Sequence, residues 1–131
     1  MLATSVTVLL VDDDEAVRGF VSRILKEQGY DILEAGDGAQ ALELASTHAG
    51  HIDLLLTDVI MPKINGFVLA TRLLKERSKL AVLYMSGYME SSMLAAKDSN
   101  AVLLHKPFSS KHLVSAVQRM LDSHPNIIPL V

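Results

Sequence analysis

Five short apolar runs, at residues 6–11, 32–35, 54–57, 80–85 and 101–104, alternate along this chain with stretches whose apolar residues recur at helical spacing. Alternation of this kind gives a parallel sheet, because each strand is joined to the next by a helix that crosses over one of its faces. Four of the runs are nearly continuous in apolar character, as strands buried on both faces are. The second is flanked and interrupted by Asp31 and Glu34, which places it at a sheet edge. Between the runs, Val17, Phe20, Val21, Ile24 and Leu25 share one helix face. Phe67, Ala70, Leu73 and Leu74 repeat that pattern, as do Leu113, Val114, Val117, Met120 and Leu121. Residues 38–49 read as a helix from their Ala and Leu content, with Asp37 as N-cap, and 90–97 as a short, serine-rich one. Five such units predict a doubly wound, flavodoxin-like α/β fold: a five-stranded parallel sheet of order 2-1-3-4-5 with helices on both faces.

With 131 residues there is room for one domain, expected over 1–123, followed by a tail at 124–131 that holds two prolines and no Asp, Glu, Lys or Arg. Half the residues are hydrophobic, which excludes intrinsic disorder. The balance of 15 acidic against 12 basic residues argues against nucleic-acid binding by this chain. Lys63, Arg72, Lys75, Arg77 and Lys79, without interleaved aromatics, read as a solvated face. The absence of cysteine removes disulfides, thiol nucleophiles and thiolate zinc sites together. Residues 1–11 lack a basic start and run into four acids, unlike a signal peptide. No apolar stretch reaches the ~20 residues that span a bilayer. The expectation is a cytoplasmic domain without a membrane partner. His48 and His51, with no evident acidic or histidine partner, read as a helix end and loop, and His105 and His112, flanking Pro107-Phe108, as surface residues.

In an open parallel sheet, ligands bind beyond the carboxyl ends of the strands, where the strand order reverses. The first run ends at Asp12 and Asp13, the third at Asp58, the fourth at Ser86 and the fifth at Lys106. Three carboxylates, an ammonium and a hydroxyl thus converge on one rim. Carboxylates so close repel, and one is held protonated unless a cation intervenes. Mg²⁺ suits such a site, taking one or two carboxylates together with waters and phosphate oxygens. Asp58 can then attack a phosphoryl group, with Lys106 balancing charge on its oxygens and Ser86 donating one hydrogen bond.

At these residues the chain resembles the receiver domain of bacterial two-component response regulators, the CheY-like fold. The motifs are VLLVDDDEAVR at 8–18, DLLLTDVIMPKINGF at 53–67, VLYMSGY at 82–88 and HKPF at 105–108, in family order over about residues 5–123. Their wording is most similar to receivers attached to hybrid sensor histidine kinases. The resemblance implies that Asp58 is the phosphoacceptor. It also implies that Asp12, Asp13, Asp58 and the backbone carbonyl of Ile60 hold Mg²⁺ or Mn²⁺. Ser86 would be the switch hydroxyl, Lys106 the phosphate-contacting lysine, and Lys106–Pro107 a cis peptide, which only an X–Pro bond adopts cheaply. Ile60 and Tyr88 occupy the two positions that tune dephosphorylation in the family, and here they imply slow loss of the phosphoryl group. The implied partners are a sensor histidine kinase or histidine phosphotransfer domain and a downstream protein or attached domain, with a phosphorylation-dependent homodimer also open. No enzyme activity is implied beyond the domain's own phosphorylation and slow dephosphorylation. One position departs from the family: Leu103 stands where the switch aromatic is usual, three residues before the lysine, so coupling from Ser86 to the partner-binding face is expected to weaken unless Tyr84 substitutes.

Two other readings use the same residues. A haloacid-dehalogenase-like phosphatase would make Asp12 the nucleophile and Asp14 the acid. A degenerate receiver would keep the fold and serve only as an interaction module. A flavin-binding flavodoxin fits poorly, because four acids in the first loop repel a phosphate.

Overall fold

The computed structural model describes residues 5–87 and 101–123. Five strands form one sheet in the order β2-β1-β3-β4-β5, as the alternation predicts. They are β1 (Thr7–Val11), β2 (Asp31–Ala35), β3 (Leu54–Asp58), β4 (Ala81–Ser86) and β5 (Leu103–His105), and every pairing is parallel. The described helices are α1 (Glu15–Glu27), α2 (Gly38–Thr47), α3 (Gly66–Glu76) and α4 (Ser110–Ser123). The expected helix at 90–97, Tyr88, and the tail 124–131 lie outside the described residues.

Successive side chains of a strand point to opposite faces, so the central strands feed two cores. Leu9, Val11 and Leu55 pack towards α2 and α3, with Ala41, Ala45, Leu69 and Leu73. Val8, Leu10, Leu54, Leu56 and Leu83 pack towards α1 and α4, with Val21, Leu25, Leu113 and Val117. Truncating one of these fully buried leucines, such as Leu55→Ala, is expected to cost about 2–5 kcal/mol.

Caps bring the helices to the sheet at defined points. The Asp14 carboxylate accepts from the Ala16 and Val17 N–H groups, Asp37 from Gln40, and Asn65 from Val68. At the far end of α1, Tyr30 N–H donates to the Leu25 carbonyl and Gly29 N–H to Lys26, with Gly29 at φ 93°. This is a Schellman turn, for which glycine carries no steric penalty.

Three expectations need correcting. β5 is not buried on both faces: it is three residues long, has β4 as its sole strand neighbour, and is preceded by Val102, which is 44% exposed. It starts two residues and ends one residue later than the expected 101–104, as fits an edge position where one ladder sets its extent. The buried face of α3 is Gly66, Leu69, Ala70 and Leu73, leaving Leu74 exposed. Its phase is set by Asn65 and by the close seating of Gly66 on β3. Arg77 is likewise more than a solvated cation, since its guanidinium donates to the carbonyls of Ala45, His48 and Gly50 at the end of α2. Among the described residues no helix is long and apolar enough to cross a membrane.

Candidate functional site

β1 and β3 are neighbours, so Asp12 and Asp13, which follow β1, come together with Asp58, the last residue of β3. Carboxylate oxygens of these three residues all lie within 4.8 Å of one another. Asp12 and Asp58 are buried and Asp13 is exposed, so the cluster opens to solvent on the Asp13 side. It is the only group of three or more candidate metal-ligating side chains among the described residues.

Lys106 comes from the other side. Its backbone N–H donates to the Ser86 carbonyl at 2.8 Å, which prolongs the β4–β5 ladder to the rim. Its ammonium then lies 3.2 Å from Asp12 Oδ2 and 3.3 Å from Asp58 Oδ1. The following peptide, Lys106–Pro107, is cis. Ser86 is fully buried at the end of β4, one residue beyond Met85, the register partner of Asp58. Ile60, two residues after Asp58, is half exposed. Tyr84 and Leu103 are register partners on β4 and β5, and Tyr84 is buried in the α2–α3 core with Leu103 packed against it.

One ammonium does not neutralise three carboxylates. Burial, with Asp12 next in effect, pushes the Asp58 carboxyl up from 3.8 to about 6, and Lys106 offsets this only in part. For Lys106 burial works downward, but Asp12 and Asp58 outweigh it and raise the ammonium above its ordinary value. The ionised cluster carries a formal charge of about −2 after Lys106 is counted, with all donors hard oxygens, and this fits a divalent cation.

The Asp58 backbone is held as firmly as its side chain. Oδ1 accepts from Val59 N–H at 3.1 Å, and the Asp58 carbonyl accepts from the Thr57 hydroxyl at 3.0 Å. Gly66 N–H donates to the Val59 carbonyl at 2.7 Å, and a Cβ at Gly66 would collide with the Asp58 carbonyl oxygen. Only glycine fits there. Sequence reading did not single out Gly66, although Asn65-Gly66 ahead of a helical pattern is a recognisable turn signal. Asp12 is fixed by four contacts. Its N–H donates to Ala35, its Oδ1 accepts from Asp14 N–H, its Oδ2 meets Lys106, and its carbonyl accepts from Arg18 Nη1 at 2.7 Å. Arg18 escaped the sequence reading because its partner is a backbone carbonyl, which no residue pattern reveals.

Comparison with known proteins bears on the family and the fold. Residues 8–118 match the family model of the response regulator receiver domain. The sensor kinase CckA of Brucella abortus (strain 2308) is 37% identical over 123 residues, covering 92% of this chain but 13% of CckA. The response regulator receiver protein CpdR of the same strain is 31% identical over 116 residues, covering 87% of this chain and 95% of CpdR. Among solved structures, the chemotaxis response regulator CheY4 of Vibrio cholerae has a TM-score of 0.77 and 31% identity, covering 90% of this chain and 100% of that one. The chain therefore spans a small part of one relative and nearly the whole of another.

Proposed function

This chain belongs to the response regulator receiver family of two-component signalling, and on that footing we propose that Asp58 is its phosphoacceptor, charged by a phosphohistidine. The donor is a sensor histidine kinase or a histidine phosphotransfer domain. The observation that carries the reading is the Lys106 ammonium lying within 3.3 Å of both Asp12 and Asp58 in a three-carboxylate cluster.

In the reaction an Asp58 carboxylate oxygen attacks phosphorus and a P–O bond forms. The P–N bond of the phosphohistidine breaks, and the imidazole nitrogen leaves with its electron pair. Asp12, Asp13 and Asp58, with the Ile60 carbonyl, would hold Mg²⁺ or Mn²⁺, which when bound supplies countercharge for the phosphoryl oxygens. Lys106 supplies the positive charge on the opposite side, and Ser86 at the end of β4 offers a hydroxyl to a phosphoryl oxygen. Asp12 has no solvent-accessible surface, which speaks against it as the nucleophile of a phosphatase. The complete set of Asp12, Asp13, Asp58, Ser86 and Lys106 speaks against a degenerate module.

The proposed receiver unit runs over 1–123 in the cytoplasm and turns over no external substrate. It answers to a downstream protein or attached domain, or to a second phosphorylated copy. With leucine at position 103, the rearrangement that follows phosphorylation is expected to be small on β5 and α4. Ile60, together with Tyr88, is proposed to slow hydrolysis of the aspartyl phosphate. The test is intact-mass analysis after treatment with a small acyl phosphate, with and without Mg²⁺. One labile phosphoryl group that needs the metal and is absent in Asp58→Asn is expected. Labelling of Asp58→Asn to the wild-type extent would refute the assignment.

A further inference from the structure

We infer that Arg18 is a positioning residue for the cation site, acting through the peptide that joins Asp12 to Asp13 and held in place by Glu34. The inference rests on the metal-binding reading above.

The Asp12–Asp13 peptide carries both β1 carboxylates of the cluster, one on each side, so its plane sets the direction of both. Its carbonyl oxygen is the acceptor of the Arg18 Nη1 bond at 2.7 Å. The same guanidinium, only 21% exposed along its side chain, lies with Nε 3.6 Å from Glu34 Oε1. Glu34 is in turn fixed by the Ser22 hydroxyl at 2.8 Å and by Lys26 at 3.7 Å, both on Oε2. A continuous chain thus runs from β2 through α1 to the cluster: Glu34 to Arg18 to the Asp12 carbonyl. The planar fork of arginine suits this task, since it presents donors to two acceptors at once in fixed directions. Groups that orient metal ligands without touching the metal typically change affinity by about 10–100-fold when removed.

Coulomb's law and positioning predict opposite signs here. Removing a cation near an acidic cluster should tighten Mg²⁺ binding if charge alone matters. If Arg18 orients the carboxylates, removal should weaken it. Mg²⁺ affinity would be measured by calorimetric titration of the full chain at pH 7.5, for wild type, Arg18→Ala, Arg18→Lys, Glu34→Gln, the double variant Arg18→Ala/Glu34→Gln, Asp13→Asn and Arg23→Ala. The expected result is at least a tenfold loss in Arg18→Ala, partial recovery in Arg18→Lys, and a smaller loss in Glu34→Gln that disappears in the double variant. Arg23, on the same helix with its guanidinium over Phe20, should leave affinity unchanged when replaced by alanine. Equal or tighter binding by Arg18→Ala, while Asp13→Asn binds weakly, would overturn the positioning role alone. Wild-type affinity in Asp13→Asn, or no binding by the wild type, would overturn the metal reading and this inference with it. Should Arg18→Ala fail to fold, Glu34→Gln and Arg18→Lys decide, and wild-type affinity in both refutes the proposal.

Discussion

Asp58 should make the metal-free protein less stable as the pH rises from 4 to 7, and Asp58→Asn should remove that dependence. The carboxyl is shifted from 3.8 to about 6 in the folded chain, chiefly by burial and secondarily by Asp12. Well below the ordinary value of 3.8 both folded and unfolded chains are largely protonated at this group, and it contributes nothing. Between about pH 4 and 6 the unfolded chain loses the proton first, so the native state binds more protons and its stability falls with pH. Above about pH 7 both states are ionised and the full penalty is present. Two pKa units at about 1.36 kcal/mol each set an upper value near 3 kcal/mol, and partial solvent relaxation at the open side brings the expected range to about 1–3 kcal/mol. Asparagine keeps an oxygen for Val59 N–H and Lys106 but has no charge to repel Asp12. Denaturant melts of both proteins in a chelator, at pH 3.5 and pH 7.5, should therefore nearly coincide at the lower pH. At the higher pH Asp58→Asn should be ahead by about 1–3 kcal/mol, or about 3–12 °C in Tm for a domain of this size. Millimolar Mg²⁺ should recover much of the difference in the wild type by mass action. A pH-independent gap, or a less stable asparagine variant at pH 7.5, would refute the argument.

Lys106→Ala leaves two buried carboxylates without their shared ammonium, so a loss of about 1–3 kcal/mol is expected in chelator at pH 7.5, smaller at pH 3.5, read by the same melts. Ile60→Asn places a water-orienting amide at an exposed position two residues after Asp58 and should speed decay of the phosphorylated protein about tenfold, followed by intact mass in Mg²⁺ with no partner present; an unchanged half-life would contradict the role given to Ile60. Gly66→Ala should lower stability by about 1–3 kcal/mol and reduce labelling, because the new methyl displaces the Asp58 carbonyl, and a fully stable, fully labelled variant would show that α3 can shift without cost.

The strand ends were legible because in a parallel sheet their position is fixed by the apolar runs before them. Asp12, Asp58, Ser86 and Lys106 each sit where such a run stops, and the sheet order then brings them together. β5 was harder to read. The predicted order already put the fifth run at an edge, but residues 101–104 have the apolar composition of a buried strand, and that composition hid the exposure of Val102. Leu74 misled in a similar way: helical periodicity gives a face to within one residue, whereas the contact between Gly66 and the Asp58 backbone determines the phase. Arg18 and Arg77 both act on main-chain carbonyls far along the chain or around a turn, and side-chain patterns are silent about such partners.

The strand order also carries a timetable. β1 finds β2 and β3 on its two sides, and from there each later strand docks beside the one made before it: β4 on β3, β5 on β4. A chain leaving the ribosome from its amino terminus can therefore extend its sheet outward in the order of synthesis, with no strand inserted between two already paired. Asp12, Asp13 and Asp58 are all made before residue 59, while Lys106 arrives with the last strand. A nascent chain halted between them would gather like charges with no ammonium among them, and could close that end of the sheet only by taking up protons or a cation. Completion of β5 is thus the moment at which the acidic rim gains its ammonium, leaving a charge of about −2 for a cation or a proton to offset.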